Sequence, residues 1–247
     1  LPQSHPVIRT LEVVEKHLYR AADAIVLVTD SFRDRLVERG IDPSKLFVVK
    51  NGVDVGRFVP RPRTTALRER LGFGDRFVSS YVGTHGMAHA LDSILAVAER
   101  VKQDDRFRFL FVGDGAERPR LEQLARSRAL SNVVFLGALP RDQMNDVYAT
   151  SDLCLVPLRK AELFTTVIPS KIFEILAMER PILLSVDGEA RKLVEASGGG
   201  RFVPPEDVDA MTDTIRWMVD HDRERAEMGR RGREYVLAHF DRDRLAQ

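Results

Sequence analysis

The fold is decided by Phe77–Gly83 (FVSSYVG), a mostly apolar run that ends directly in glycine, as buried parallel strands often do. The pattern returns at Phe107–Gly113 (FRFLFVG) and at Val133–Gly137 (VVFLG), and an amphipathic stretch follows each run. Strands that are apolar on both faces and separated by single helices predict a doubly wound parallel α/β sheet. Three further strands of this sheet are predicted at Leu153–Val156, Pro181–Val186 and Arg201–Val203.

Helices are predicted between these strands and after them. In a doubly wound sheet, ligands bind beyond the carboxyl ends of the strands. We therefore expect function in the loops that follow Val82, Val112, Leu136 and Val156. The predicted helices span Ala90–Val101, Glu117–Arg128, Arg141–Ala149, Ser170–Met178 and Glu189–Ala196, and two more close the chain.

The first fifty residues repeat the α/β pattern on a smaller scale. Two strands and two helices are too few to bury a core of their own, so we expect the end of a preceding α/β domain. The linker-like Phe58–Arg63 (FVPRPR) follows it. The predicted elements are a helix at Val7–Arg20, a strand at Ala24–Val28, a helix capped by Thr29 or Asp30 that reaches Glu38, and a strand at Leu46–Val49.

The composition excludes several classes of protein. The chain is 44% hydrophobic and carries 38 Lys and Arg against 37 Asp and Glu, which argues against a disordered chain and against nucleic acid as a partner. No apolar run approaches the ~20 residues that span a bilayer, and the single cysteine, Cys154, makes no internal disulfide. We expect a globular cytoplasmic protein. The basic run Arg223–Arg233 is interpreted as a solvated helix face, with peripheral contact at the inner membrane surface as the open alternative.

The segment Pro169–Glu174 (PSKIFE) has the strongest chemical pattern. Pro169 and Ser170 are typical of a helix start, where free N–H groups and the positive dipole end favour an anion. Lys171 adds a charge suited to phosphate. Glu174 lies one turn further on, at a spacing that keeps it on one helix face with Ser170, and a carboxylate there can bind the two hydroxyls of a ribose. The spacing fits equally well a purely structural capping box of Ser170 with Glu174.

Two glycine-containing loops are further candidates. His85 and His89, in the loop after the first strand, have no acidic residue or cysteine beside them, so we favour phosphate contact or ordinary capping over a metal site. Gly113-Asp114-Gly115 lacks the third glycine of a dinucleotide fingerprint, since position 118 is arginine, and we interpret it as a base-binding loop. Asp152 and Cys154 are expected to be structural. We expect neither a metal nor a cofactor.

With these loops in order, the chain resembles the C-terminal donor-binding half of a retaining GT-B-fold glycosyltransferase, of the large family typified by sucrose and glycogen synthases. The resemblance covers almost the whole chain and is most specific from Ile168 to Ile182. The loops Thr84–His89 and Thr166–Lys171 also resemble a subgroup that transfers amino-deoxy sugars in bacterial surface-polysaccharide synthesis. The motifs that carry the resemblance are AADAI (21–25), KNGVD (50–54), VGDG (112–115), NVVFLG (132–137), SDL (151–153), IPSK (168–171) and EILAM (174–178).

The resemblance implies a site for a nucleoside-diphosphate sugar, with UDP as the favoured nucleotide, and transfer of a hexose to a glycan or lipid-linked acceptor. Glu174 matches the second acid of the family's E-x7-E motif, which holds the ribose, and Lys171 and Glu174 are the candidates for stabilising the donor. The first acid of that motif falls at Thr166. The implied donor-binding residues are Gly83, Thr84 and His85 near the diphosphate, Gly113, Gly115, Leu139 and Pro140 around the base, and Thr166, Val167, Ile168, Pro169, Ser170, Lys171 and Glu174 around the diphosphate, sugar and ribose.

The resemblance also implies a domain organisation. We expect the end of an N-terminal acceptor domain at residues 1–52, a linker at 53–63, the donor domain at 64–225, and at 226–247 a helix that crosses back to the N-terminal domain. Because the chain begins with Leu1 rather than Met, we expect a processed start or a longer gene product. The missing acceptor domain then makes this chain inactive alone and leaves apolar surface exposed on its first fifty residues and its last helix.

Two alternatives stay open at this point. One is a nucleotide-binding module without catalysis, which the threonine at position 166 favours. The other is a sugar-nucleotide 2-epimerase of the same fold.

Overall fold

The computed structural model describes residues 5–245, which form two compact units that divide between Asn51 and Gly52. The first unit is small. It consists of α1 (Pro6–Ala21), β1 (Ile25–Leu27), α2 (Asp30–Glu38), a 3-10 turn (Pro43–Lys45) and β2 (Leu46–Val48).

The two strands of the first unit pair in parallel, and they are buried on one face only. Leu27 and Leu46 pack against Leu36 of α2, whereas Val26 and Phe47, which pair across the opposite face, are 65% and 53% exposed. The predicted elements and the cap at Thr29, whose side chain accepts from the backbone of α2, are confirmed.

Helix α1 carries an apolar stripe that faces solvent. Val7, Leu11, Val14 and Leu18 recur at helical spacing and are all exposed. The expectation that the first fifty residues expose apolar surface is therefore confirmed.

The second unit contains the predicted parallel sheet. Its six strands lie in the order β5-β4-β3-β6-β7-β8, and the predicted strand positions agree with the structure to within one residue at each end. The strands are β3 (Phe77–Val82), β4 (Phe107–Val112), β5 (Val133–Leu136), β6 (Leu153–Pro157), β7 (Ile182–Ser185) and β8 (Gly200–Phe202). The helices are α3 (Ala66–Arg70), α4 (Leu91–Arg100), α5 (Arg118–Ser127), α6 (Met144–Thr150), α7 (Lys171–Ala177), α8 (Glu189–Ser197), α9 (Val208–Asp220), α10 (Asp222–His239) and α11 (Arg242–Leu245).

Helices cover both faces of this sheet. On one face, Phe109 and Phe111 of β4 pack against α4, α5 and α9. On the other, Leu110 packs against α3 and α6, while Ile182 and Leu184 of β7 pack against α7, α8 and α10. The chain runs from β3 to β5 on one side and then returns to β6 on the other, so the topological switch point lies between β3 and β6.

The predicted helices need three corrections. The helix expected over Arg141–Ala149 is a 3-10 turn, Arg141–Gln143, followed by α6, and α3 was not predicted at all. In the described part of the chain, the short α11 follows α9 and α10, where only two closing helices were expected. All three differences concern short segments, in which few residues define the period.

The last long helix does not expose the apolar surface that we expected. α10 packs against α7 and α8 of its own unit and buries Met228 and Val236, and Phe240, which follows it, is buried as well. Residues of the predicted linker are also buried, namely Val53 and Phe58. The domain boundaries at residues 52, 63 and 225 remain predictions.

Asp152 connects the start of β6 to β3. Its buried carboxylate accepts a hydrogen bond from the backbone of Val78 (2.9 Å) and pairs with Arg63 (2.6 Å) and Arg68 (3.5 Å). These contacts agree with the structural role expected of it. Within residues 5–245, no helix combines the length and the hydropathy that crossing a bilayer requires.

Candidate functional site

The loops that follow β3 and β4 touch through their backbones at the carboxyl edge of the sheet. The amide of His85 donates to the carbonyl of Asp114 (2.8 Å), and the amide of Glu117 donates to the carbonyl of His85 (2.9 Å). A Cβ at Gly113 would overlap the carbonyl of Gly83, and one at Gly115 would lie 2.5 Å from the carbonyl oxygen of His85. Both positions therefore require glycine for the loops to meet.

The loop after β5 joins the same edge. The amide of Gly113 donates to the carbonyl oxygens of Leu136 (3.3 Å) and Gly137 (3.2 Å). Leu139 is half-buried against the core, whereas Pro140 is exposed. The structure thus brings Gly113 and Gly115 next to the loop after β3. The role of Leu139 and Pro140 at a nucleobase stays a prediction.

Lys171 projects from the start of α7 toward the end of β3. Its ammonium lies 4.2 Å from the ring centroid of Tyr81, and a Cβ at Gly83 would lie 2.6 Å from the Lys171 Nζ. Burial lowers the pKa of Lys171 to about 8, although the charge of Glu174 acts in the opposite direction. Within residues 5–245, no carboxylate lies within ion-pair distance of this ammonium. Lys171 is therefore a half-buried cation whose charge is available to a ligand.

Glu174 lies one turn after Lys171 and is half-buried. Its Oε2 accepts a hydrogen bond from the hydroxyl of Tyr148 (2.9 Å), a buried residue of α6. Burial, assisted by the Glu174 charge, holds the pKa of Tyr148 well above its ordinary value, so Tyr148 remains a donor. In the described part of the chain, no donor occupies Oε1 of Glu174, which leaves this oxygen for a ligand.

The capping role considered for Ser170 and Glu174 is wrong. Ser170 is exposed and its side chain makes no capping hydrogen bond to α7, while the Glu174 carboxylate is turned toward Tyr148. Helix α7 has only seven residues, so the positive charge at this place comes chiefly from Lys171.

The segment that precedes α7 rests on the loop after β7. Thr166 ends a 3-10 turn, Glu162–Thr166, and its hydroxyl donates to the carbonyl of Leu163 (3.0 Å). A Cβ at Gly188, where φ is 81°, would overlap the carbonyl of Thr165. Val167 and Ile168 follow, half-buried against the core, and Pro169 is half-buried as well.

His85 does not face solvent. Its ring is fully buried against Tyr81, Phe111 and Phe135, and within residues 5–245 neither ring nitrogen has a hydrogen-bond partner. Burial lowers the pKa of His85, so the ring is neutral near pH 7. The amide of His85 is bonded to Asp114, so in this arrangement His85 offers a ligand neither its ring nor a free amide, whereas Thr84 is exposed. The predicted donor-binding roles of both residues stay predictions.

Three residues of this edge were missed by the sequence analysis, namely Tyr81, Tyr148 and Gly188. Tyr81 and Tyr148 were counted only as members of a strand and a helix. The glycine at 188 offered a signal, because Asp187-Gly188 stands between a strand and a helix, as Gly83 and Gly113 do.

Two family models match the chain. "Glycosyl transferases group 1" covers residues 76–221, which includes the whole sheet of the second unit. "Glycosyltransferase Family 4" covers residues 3–57.

Two similar proteins carry the names of glycosyltransferases. The chain is 28% identical to an alpha-D-kanosaminyltransferase of Streptomyces kanamyceticus, over 83% of this chain and 53% of that protein. It is 30% identical to a D-inositol 3-phosphate glycosyltransferase of Kineococcus radiotolerans, over 88% of this chain and 54% of that protein. The chain thus spans about half the length of these relatives.

A solved structure shares the fold. HepE of Anabaena, in complex with UDP and glucose, superposes with a TM-score of 0.83 at 20% identity, over 96% of this chain and 64% of that one. The sheet order, the family models and this likeness agree with the GT-B architecture expected from the sequence. The chain belongs to the glycosyl transferases group 1 family.

Proposed function

We propose that the second unit binds the donor of a glycosyltransferase, a nucleoside-diphosphate sugar, with Lys171 at the diphosphate. The observation that carries this proposal is the half-buried ammonium of Lys171, which no carboxylate of residues 5–245 neutralises. It lies beside Gly83, where the chain leaves the central strand at the topological switch point. An anion that enters this edge meets a charge in surroundings of low dielectric, where the attraction is stronger than in water.

Glu174 is proposed to bind the ribose of the same nucleotide. A carboxylate can accept hydrogen bonds from two neighbouring hydroxyls, and Oε1 of Glu174 is open while Tyr148 holds Oε2. Glu174 and Lys171 are three residues apart on one helix, so they can contact adjoining parts of one ligand.

Uridine is proposed as the base, next to the loops after β4 and β5 that contain Gly113, Gly115, Leu139 and Pro140. Support comes from the similar fold of HepE, which is described in complex with UDP and glucose. GDP and ADP are the alternatives to be tested.

The proposed reaction is the transfer of a hexose, or an amino-deoxy hexose, with retention at the anomeric carbon. In this reaction the bond between the anomeric carbon and the diphosphate oxygen breaks, and the diphosphate leaves with its negative charge. The oxygen of an acceptor hydroxyl bonds to the anomeric carbon on the same face, and the hydroxyl proton passes to the diphosphate or to solvent. Lys171 would stabilise that charge as it develops. The kanosaminyl transfer named for one relative supports an amino-deoxy sugar, and the transferase names of the relatives do not favour an epimerase or a module without catalysis.

The acceptor is proposed to be a glycan or a lipid-linked glycan, and peripheral contact with the membrane would then be an advantage. The basic face of α10 gives this contact little support. Arg230 pairs with Glu227 (2.7 Å) and with Glu234, so much of the positive charge is neutralised within the helix. We interpret this face as a solvated surface.

Calorimetric titration of the chain with UDP, GDP and ADP tests the donor site. We expect UDP to bind most tightly, and we expect Lys171→Met and Glu174→Ala each to weaken binding by about 1–3 kcal/mol, the scale of a hydrogen bond to a charged group. Lys192→Met is the matched control, because Lys192 is an exposed lysine of α8. A folded chain that binds UDP equally well with and without Lys171 would refute the proposal.

A further inference from the structure

Tyr81 lies at the centre of the candidate site, although its side chain is almost fully buried. It is the penultimate residue of β3, directly below the loop that begins at Gly83. Its hydroxyl donates to the carbonyl of Thr84 (2.7 Å), and its ring lies under the ammonium of Lys171, 4.2 Å from Nζ to the ring centroid. One side chain therefore contacts both the loop after β3 and the charged group of α7.

We propose that Tyr81 is a positioning residue of the donor site, whose ring holds the Lys171 ammonium beside Gly83 and whose hydroxyl holds the loop that faces the same ligand. The proposal rests on the function proposed above, since it assigns the diphosphate to Lys171. Tyr81 itself touches no ligand in this arrangement. It acts through Lys171 and through the backbone at Thr84.

Gly83, the ammonium of Lys171 and the hydroxyl of Tyr81 lie close together. A Cβ at this position would lie 2.6 Å from the Lys171 Nζ and 3.5 Å from the Tyr81 hydroxyl oxygen. The missing side chain at Gly83 thus makes the room in which the ammonium meets the loop.

The ionisable groups around Lys171 make the Tyr81 ring important for keeping the Lys171 amine protonated. The rings of His85 and His89 flank Tyr81, each with its centroid 5.8 Å away. Burial lowers the pKa of both histidines, that of His89 to about 4, so neither carries charge at neutral pH. The other ionisable groups that act on Lys171 are Glu174 on its own helix and Cys154 on β6, and both favour its protonated form.

Burial opposes protonation of Lys171, so the protonated form depends on the groups that attract it. A cation over an aromatic ring is attracted to the ring face, and the attraction grows when water is excluded. Tyr81 supplies that face at 4.2 Å. Removal of the ring should therefore make Lys171 less basic as well as less well placed.

The test compares Tyr81→Leu, which removes ring and hydroxyl, with Tyr81→Phe, which removes the hydroxyl only. Tyr235→Leu is the matched control, a half-buried tyrosine of α10 that packs against Phe240. In the absence of nucleotide, the pKa of the Lys171 amine is measured by competitive acetylation across about pH 6 to about pH 10, with the modified peptide quantified by mass spectrometry. UDP affinity is measured in parallel across the same pH range, and thermal unfolding shows that each variant is folded.

We expect Tyr81→Leu to lower the pKa of Lys171 by about one unit and to weaken UDP binding about tenfold near pH 8, with a smaller loss near pH 6, where the amine stays protonated. Tyr81→Phe should leave the pKa of Lys171 nearly unchanged and weaken UDP binding by a similar factor at every pH, because only the loop is loosened. An unchanged Lys171 pKa in folded Tyr81→Leu would overturn the proposal.

The same experiments distinguish an error in the proposed donor site from an error in the role of Tyr81. If the unsubstituted chain does not bind UDP, the assignment of the diphosphate to Lys171 is refuted. The acetylation experiment, which uses no nucleotide, then decides separately whether Tyr81 controls Lys171. If UDP binds and Tyr81→Leu alters neither the pKa of Lys171 nor the affinity, the donor site stands and the role of Tyr81 is refuted.

Discussion

The hydroxyl of Tyr148 donates to Oε2 of Glu174 across 2.9 Å, and so connects α6 to the acidic residue of α7. This bond fixes the direction of the carboxylate, because one oxygen faces the buried tyrosine and the other is left for a ligand. The orientation of Glu174 thus depends on a residue 26 positions earlier in the chain.

Tyr148→Phe should weaken UDP binding about fivefold, because the carboxylate of Glu174 is then free to turn, and fixing such a side chain on binding costs ~1 kcal/mol. Isothermal titration calorimetry measures the change. Tyr19→Phe is the control, since Tyr19 makes the same kind of bond to Glu15 (3.0 Å) in the first unit. Equal affinities of Tyr148→Phe and the unsubstituted chain would show that Glu174 does not need this partner.

The affinity for UDP should fall as the pH rises through about 8, the lowered pKa of Lys171. The ammonium attracts a diphosphate and the neutral amine does not, so binding is strongest below this pH. Lys171→Met should remove this step and leave a flatter profile. A series of UDP titrations in buffers of equal ionic strength measures the affinity at each pH. An equal fall in affinity in Lys171→Met would assign the pH dependence to another group.

The same lysine should make the folded chain more stable as the pH rises, whereas the affinity for UDP falls. Because its pKa falls from 10.5 to about 8 on folding, both states hold the proton below about pH 8, and there the penalty for burying the charge is complete. Between these two values the unfolded chain binds more protons than the folded one, so the free energy of unfolding should rise with pH. Urea unfolding of the chain and of Lys171→Met at several pH values gives this contribution by difference. A rise of equal size in both proteins would show that Lys171 does not cause it.

Glu179→Gly should raise the free energy of unfolding by up to ~1 kcal/mol, because Glu179 follows α7 with a φ of 55°, a conformation that glycine adopts without strain. The ion pair that is lost, to Arg233 at 3.7 Å, is half-exposed and contributes little. Chemical unfolding monitored by circular dichroism measures the gain.

Glu206→Gly provides the comparison for Glu179. Glu206 has a similar φ of 65°, but its carboxylate accepts hydrogen bonds from Arg159 (3.2 Å) and from the backbone of Lys160 (2.9 Å). We therefore expect a smaller gain, or a loss, at this position. Destabilisation by Glu179→Gly would contradict the interpretation that its backbone is strained.

Gly113→Ala should destabilise the chain by more than the ~1 kcal/mol of an unfavourable φ alone, because its methyl group would overlap the carbonyl of Gly83. Gly72→Ala is the reference for a left-handed φ without overlap, since Gly72 has a φ of 63° and nothing within 4 Å of its Cβ position, whereas Gly113 has a φ of 133°. Thermal unfolding of both variants measures the difference. Equal losses would mean that the loops after β3 and β4 can separate without cost.

The sheet could be predicted from the sequence because its signals are local. An apolar run that ends in glycine at Gly83 or Gly113 marks both the strand and its turn, and the order of such runs predicts the fold class. The candidate site could be predicted only in part. Lys171 and Glu174 lie together in the chain, so a single motif indicates both.

The contacts that position these residues come from distant parts of the chain. Tyr81 and Lys171 are 90 positions apart in the sequence, and the hydrophobic periodicity of the chain does not predict a contact between them. The burial of His85 was missed for a related reason, because a histidine beside glycine is typical of an exposed loop. Its ring turns inward, where Phe111 and Phe135 of the neighbouring strands offer apolar surface.

The backbone bonds between the loops after β3, β4 and β5 determine how the edge responds to a ligand. The amides of His85 and Gly113 are already bonded to carbonyls of neighbouring loops, so little backbone entropy remains to be lost when a nucleotide arrives. Amide hydrogens at these positions should exchange slowly with deuterium even in the unliganded protein. Binding at this edge should then show a small entropic penalty and only a slight further slowing of exchange.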